Sequence, residues 1–141
     1  MIFLQYINIF FYYLRKMLKY GRAKNKITTT DDMFDESLGV VYELYKDPKV
    51  ENKFDLLSPD CMISQYILGK SLPVGRSWAS VDEVLMPVNT NDHWIMVRFN
   101  IKGKHLWVYD SIRNEGHDEH VMKLLSRYSE MFPYFLYSLG L

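Results

Sequence analysis

A histidine and an aspartate bracket the most ordered-looking part of this chain. His93-Trp94 opens one apolar run, and Val108-Tyr109-Asp110-Ser111 closes the next. A carboxylate beside an imidazole can fix its tautomer and stabilise its charged form, and the imidazole can then activate a thiol or hydroxyl. The pair needs a shared face. Trp94 to Ile101 and His105 to Tyr109 read as strands rich in β-branched and aromatic residues. Lys102-Gly103 supplies a two-residue turn between them. That turn places Phe99 opposite Leu106, Ile95 opposite Asp110 and His93 opposite Ile112. Asp110 is then the diagonal neighbour of His93, about 7–8 Å away at the backbone. Ile95, Val97, Phe99, Leu106 and Val108 complete an apolar face, with its polar pair at the open end. A slip of one residue would put Asp110 on the other face. Spacing alone favours the plainer reading, a surface histidine and a strand-end aspartate capping a turn, since both are common at strand ends.

Other groups weigh less. His117-Asp118-Glu119-His120 sets two histidines three apart near a helix start. A metal needs three or four convergent ligands, and the sequence offers no partners, so no metal and no cofactor are expected. The two acids suit a first helical turn through the helix dipole. Ser111 lacks the Gly-x-Ser-x-Gly elbow of a serine nucleophile. Asp82 and Glu83 are adjacent in a strand and point to opposite faces. Cys61 is the one cysteine, lies in an apolar segment and lacks a flanking glycine. A lone cysteine of this kind is a small buried hydrophobe.

Around the pair, the elements are legible to different degrees. Thr30 or Asp31 can cap a helix whose stripe is Phe34, Leu38, Val41, Tyr42 and Tyr45. Asp47-Pro48 ends it. Residues 48–60 read as irregular, Cys61 to Leu68 as a short apolar segment, and Leu72 to Ser80 as loop. Val84 to Val88 reads as a strand, with Pro87 marking an edge or an end. A last helix from about Asp118 buries Val121, Leu124, Leu125, Tyr128 and Phe132, and Pro133 kinks or restarts it.

Seventeen basic residues balance seventeen acidic ones, so no field favours nucleic acid. The basic run Arg15, Lys16, Lys19, Arg22, Lys24 and Lys26 reads as a solvated connector, and residues 19–30 as loop. Met1 to Leu14 is almost wholly apolar or aromatic. It is shorter than the roughly 20 residues of a membrane helix, and its positive charge follows it, unlike a signal peptide. A core or interface segment is expected, and no membrane span. One cysteine allows no internal disulfide, which fits a reducing intracellular compartment, nucleus or cytoplasm.

The stretch from Trp78 to Ile112 carries a family resemblance. It reads Trp-Ala-Ser-Val-Asp-Glu-Val-Leu-Met-Pro-Val-Asn, then Asn-Asp-His-Trp-Ile-Met-Val, then Leu-Trp-Val-Tyr-Asp-Ser-Ile. This resembles the ubiquitin-like (SUMO) protease family of cysteine peptidases, and within it the divergent plant members found in transposon-associated genes. The likeness implies an α+β, papain-like fold with a central antiparallel sheet flanked by helices. It implies residues 1–30 as an apolar and basic N-terminal segment, and residues 31–141 as a partial peptidase domain. His93 would be general base, Asp110 its orienting partner, and Trp94 a neighbour that shields their contact from water. A ubiquitin-like modifier or its conjugates would be the partner. The family's glutamine and its cysteine-glycine pair follow the aspartate, and neither a Gln nor a Cys follows Asp110 here. The expectation is a domain cut before its nucleophile, inactive alone. The apolar face ending at Ile95 and the segment Phe132 to Leu139 would then be short of cover. A catalytically dead binding module and a non-functional remnant are the other readings.

Overall fold

The computed structural model describes residues 2–21, 26–91, 93–110 and 114–141, with side chains from residue 6 onward except that of residue 115. Ser111, Ile112, Arg22 and Lys24 lie outside the described residues. In chain order the elements are α1 (Ile2–Tyr20), β1 (Ile27–Thr29), α2 (Asp32–Lys46), α3 (Met62–Ile67), β2 (Glu83–Asn89), β3 (Trp94–Asn100), β4 (His105–Tyr109) and α4 (Glu115–Ser138). Short 3-10 turns cover Lys53–Leu57 and Trp78–Ser80. The strands form one sheet in the order β1-β2-β3-β4. β1 runs parallel to β2, and the other pairs are antiparallel. The architecture is α+β, with a mixed sheet rather than a purely antiparallel one.

The register of β3 and β4 follows from side-chain alternation. Phe99 lies opposite Leu106 and Met96 opposite Tyr109, as the apolar face requires. The turn is longer than two residues, because Ile101 and Lys104 leave the ladder. Asn100 Oδ1 accepts the Gly103 N–H at 2.8 Å, and Lys104 takes a left-handed φ of 58°. Val84, Met86, Val88, Ile95, Val97 and Phe99 are buried on the face that meets the helices. Ile95, Phe132, Phe135 and Leu136 are buried, whereas Tyr134 and Tyr137 of the same stretch are exposed. Pro87 sits inside a paired strand, opposite Met96. β1 ends opposite Leu85, so the missing Pro87 N–H costs no bond on that side.

Asp31 caps α2 by accepting the Phe34 N–H at 3.1 Å, and Phe34 and Leu38 are fully buried. Phe34, Trp78, Phe99, Tyr128 and Phe132 pack ring against ring at centroid distances of 5.0–6.5 Å. α4 begins at Glu115, earlier than the sequence suggests, because Asn114 rather than Asp118 is the cap: its Oδ1 accepts the His117 N–H at 2.8 Å. The helix assignment continues unbroken through Pro133, with no restart. Pro133 and Ser129 are both exposed, so water can take the carbonyl that the proline leaves unpaired.

The N-terminal third departs most from its reading. Residues 19–30 are not all loop, since α1 extends to Tyr20 and Ile27–Thr29 joins the sheet. Arg15 is not solvated. It is 4% exposed and donates to Thr29 Oγ1 at 3.0 Å and to the Pro73 carbonyl at 3.1 Å. Phe11 of α1 is buried, whereas Tyr6, Phe10, Tyr13 and Met17 are exposed. Among the described residues, no helix is long and apolar enough to cross a membrane.

Asp35 joins three elements. Its Oδ1 accepts from Arg127 at 2.5 Å and from the Tyr128 hydroxyl, and its Oδ2 accepts the Asn89 N–H at 3.2 Å. Breaking a buried pair by removing one partner costs about 3–5 kcal/mol. Asp35→Ala is therefore expected to lower unfolding free energy in urea by about 3–5 kcal/mol; a loss under about 1 kcal/mol would show the cluster to be peripheral.

Asp32 behaves oppositely. Burial raises its carboxyl above the usual range, and its Oδ1 has no hydrogen-bond partner among the described residues. A raised folded-state value favours folding in acid, below the normal carboxylate range, and that contribution fades as pH rises through the raised value. Asp32→Asn is expected to raise the melting temperature at pH 7 and to change it little near about pH 3, where the native carboxyl is already neutral. A gain of equal size at both pH values would refute the electrostatic cause.

Candidate active site

His93 is held by a turn that its own sequence builds. β2 ends at Asn89, and Asn91 takes a left-handed φ of 79°, which asparagine tolerates. The Asn91 N–H is held by Asn89 Oδ1 at 2.8 Å. The Thr90 N–H donates to the His93 carbonyl at 2.9 Å, and the His93 N–H donates to Thr90 Oγ1 at 3.1 Å. From α4, His120 Nε2 meets the Thr90 carbonyl at 2.9 Å. Asp35 of α2 holds Asn89. The turn is thus fixed from two helices before the imidazole begins.

The ring reaches across to Asp110. His93 Nε2 lies 2.9 Å from Asp110 Oδ1, so the diagonal pairing drawn from the hairpin register is what the fold contains. His93 Nδ1 lies 3.1 Å from Thr90 Oγ1. The Asp110 side chain is 5% exposed and that of His93 21%. The carboxylate has a second partner that the sequence reading missed: His117 Nε2 lies 2.6 Å from Asp110 Oδ2. The His117 ring packs on that of His93 at a centroid distance of 4.9 Å. His117 was read above as part of an ordinary helix start without convergent partners; the structure corrects this. The usable signal was Asn114, a cap only four residues past Asp110, which puts the first turn of the helix beside the end of the strand. His120 and Thr90 carried no signal of their own.

Trp94 sits at the end of the sheet, where it lines a cavity beside Asp35, Asn89 and Arg127. It also lines a cavity of about 600 Å3 against α1, together with Phe10, Phe11, Pro87, Met96 and Asp110. Cys61 precedes α3, where its Sγ bonds Ser64 Oγ at 3.2 Å. Among the described residues, the cluster of His, Cys, Asp and Glu donor atoms around Asp110 holds His93 and His117 and no cysteine.

An ionised carboxylate only accepts hydrogen bonds, so each facing Nε2 carries a proton. In the Nε2–H tautomer of His93, Nδ1 presents a lone pair toward the Thr90 hydroxyl, 3.1 Å away.

The α+β domain thus sets a buried aspartate against a histidine at the end of a hairpin. Residues 65–139, just over half of the chain, match the family model for the Ulp1 protease family, C-terminal catalytic domain. The chain belongs to that family. No curated protein sequence and no solved structure gives a significant match to it.

The tautomers are open to measurement. Long-range imidazole nitrogen–proton NMR spectra are expected to show neutral His93 and His117 as Nε2–H forms, with Asp110→Ala releasing both to the mixture seen in free histidine. An Nδ1–H form at His93 in the native chain would reverse the assignment of the base atom.

Proposed function

We propose that this chain carries the base and its orienting acid of a cysteine-type peptidase acting on conjugates of a ubiquitin-like modifier. His93 is the general base, through Nδ1. Asp110 orients it and stabilises its protonated form. Trp94 forms part of the wall behind Asp110 and keeps water from the carboxylate. The observation that carries this reading is the 2.9 Å contact between His93 Nε2 and Asp110 Oδ1 within the family-matched stretch. Cys61 is not the nucleophile. Both ring nitrogens of His93 have other partners, and the Cys61 thiol is engaged by Ser64. The SUMO class of modifier and the plant transposon-associated type remain part of the proposal, by resemblance. So does the expectation that these 141 residues are inactive alone.

A second reading has its own support. Thr90 Oγ1 occupies the hydrogen-bonding position at Nδ1 that an attacking thiol would need. A chain that keeps this arrangement would grip a modifier without cleaving it.

The test combines binding and turnover. The purified chain is expected to bind a ubiquitin-like modifier and to release no fluorophore from its C-terminal conjugate. Cys61→Ser should change neither result. Turnover abolished by both Cys61→Ser and His93→Ala would restore Cys61 as nucleophile and refute the assignment. Absence of binding to any ubiquitin-like modifier would refute the substrate class.

A further inference from the structure

Three donor groups converge where the proposed mechanism uses two. His93, Asp110 and His117 each offer a ligand atom, and these atoms lie within 4.8 Å of one another. They come from three places in the fold: the turn before β3, the end of β4 and the first turn of α4. We propose that His93, Asp110 and His117 form a binding site for one Zn2+ ion, with the fourth coordination position open to solvent.

The donor set fits the ion. Zinc takes imidazole nitrogen and carboxylate oxygen at about 2.0–2.2 Å in tetrahedral geometry. Both imidazoles already present Nε2 to the carboxylate, at 2.9 and 2.6 Å. Ligands of one tetrahedral ion stand slightly further apart than hydrogen-bonded atoms, so the three groups need to open only modestly. Two neutral imidazoles and one carboxylate leave a complex with a single positive charge. The partly exposed side of His93 leaves room for a water ligand.

Thr90 supplies the second observation. To bind zinc, His93 must move its proton from Nε2 to Nδ1, and a metal-bound histidine normally donates its other N–H to a fixed acceptor. Thr90 Oγ1 is that acceptor, 3.1 Å from Nδ1. Its own proton can then go to the His93 carbonyl, 2.9 Å away. The oxygen accepts from the His93 N–H and from Nδ1–H, which uses both of its lone pairs. The site therefore satisfies either tautomer of His93 without moving Thr90. The assignment stands independently of any nucleophile, although an ion there would take His93 Nε2 away from Asp110 and so stop proton transfer.

The experiment is titration of the metal-free chain with Zn2+ by calorimetry, in a buffer without competing ligands, and with Co2+ as a visible probe of coordination. One equivalent is expected, with tetrahedral Co2+ bands. His117→Gln keeps an N–H donor for Asp110 but is a poor zinc ligand. It is expected to weaken binding at least about tenfold, the low end of what losing even an outer partner costs, while thermal unfolding stays cooperative. Cys61→Ser should leave affinity unchanged. No binding below millimolar Zn2+ would overturn the site. So would one-equivalent binding that survives His117→Gln or disappears with Cys61→Ser. Either failure leaves modifier binding by the same chain to be judged on its own.

Discussion

The position of one imidazole depends on one buried carboxylate that never touches it. Asp35 lies on α2, yet it ties Asn89, the last residue of β2, to α4 through Arg127 and Tyr128. Tyr128 is fully buried, and burial and the neighbouring Asp35 both push its hydroxyl well above its usual value, so it stays a neutral donor. With Asn89 anchored, Thr90 and His93 are held to each other. Thr90 closes the turn on His93 from both its backbone and its side chain. His93 is thereby fixed at its Cα before its ring meets Asp110. A histidine on an untethered loop would give up rotamer freedom to make the same contact, and its geometry would be correspondingly loose.

The second constraint is the sharing of Asp110. A carboxylate with one imidazole orients that imidazole. A carboxylate with two, both at charge-assisted distance, also fixes the relative position of β4 and α4. Those elements are otherwise joined by a short connection. His93 and His117 thus share one carboxylate, each on its own oxygen.

The hairpin and its polar end were legible in the sequence because period-two alternation and a glycine turn agree on one register, which puts Ile95, Val97, Phe99, Leu106 and Val108 on a single face. Adding two residues to the turn left that register intact. α2 was legible for the same reason at a period of 3.6 residues. What was not legible is long-range and polar. Arg15 reads as surface charge, since nothing local reveals that Thr29 and the Pro73 carbonyl await it. β1 is only three residues long and exists because β2 offers an edge. Asp35 sits in the first turn of a helix, where an acid needs no further explanation. His117 was hidden by the same logic, because a helix start accounts for polar residues without reference to the strand before it.

Thr90 decides how much chemistry this arrangement can host. A hydroxyl both donates and accepts, so it can face Nδ1 as a lone pair or as an N–H. A valine of the same shape would leave Nδ1 without a partner in a half-buried turn. With threonine, Nε2 can be a donor to Asp110, as a general base requires, or a bare ligand, as an ion requires. The two states use the same atom and exclude each other. The site is therefore a single imidazole whose role is set by what occupies its Nε2, and the residue that leaves both roles open lies on the opposite side of the ring.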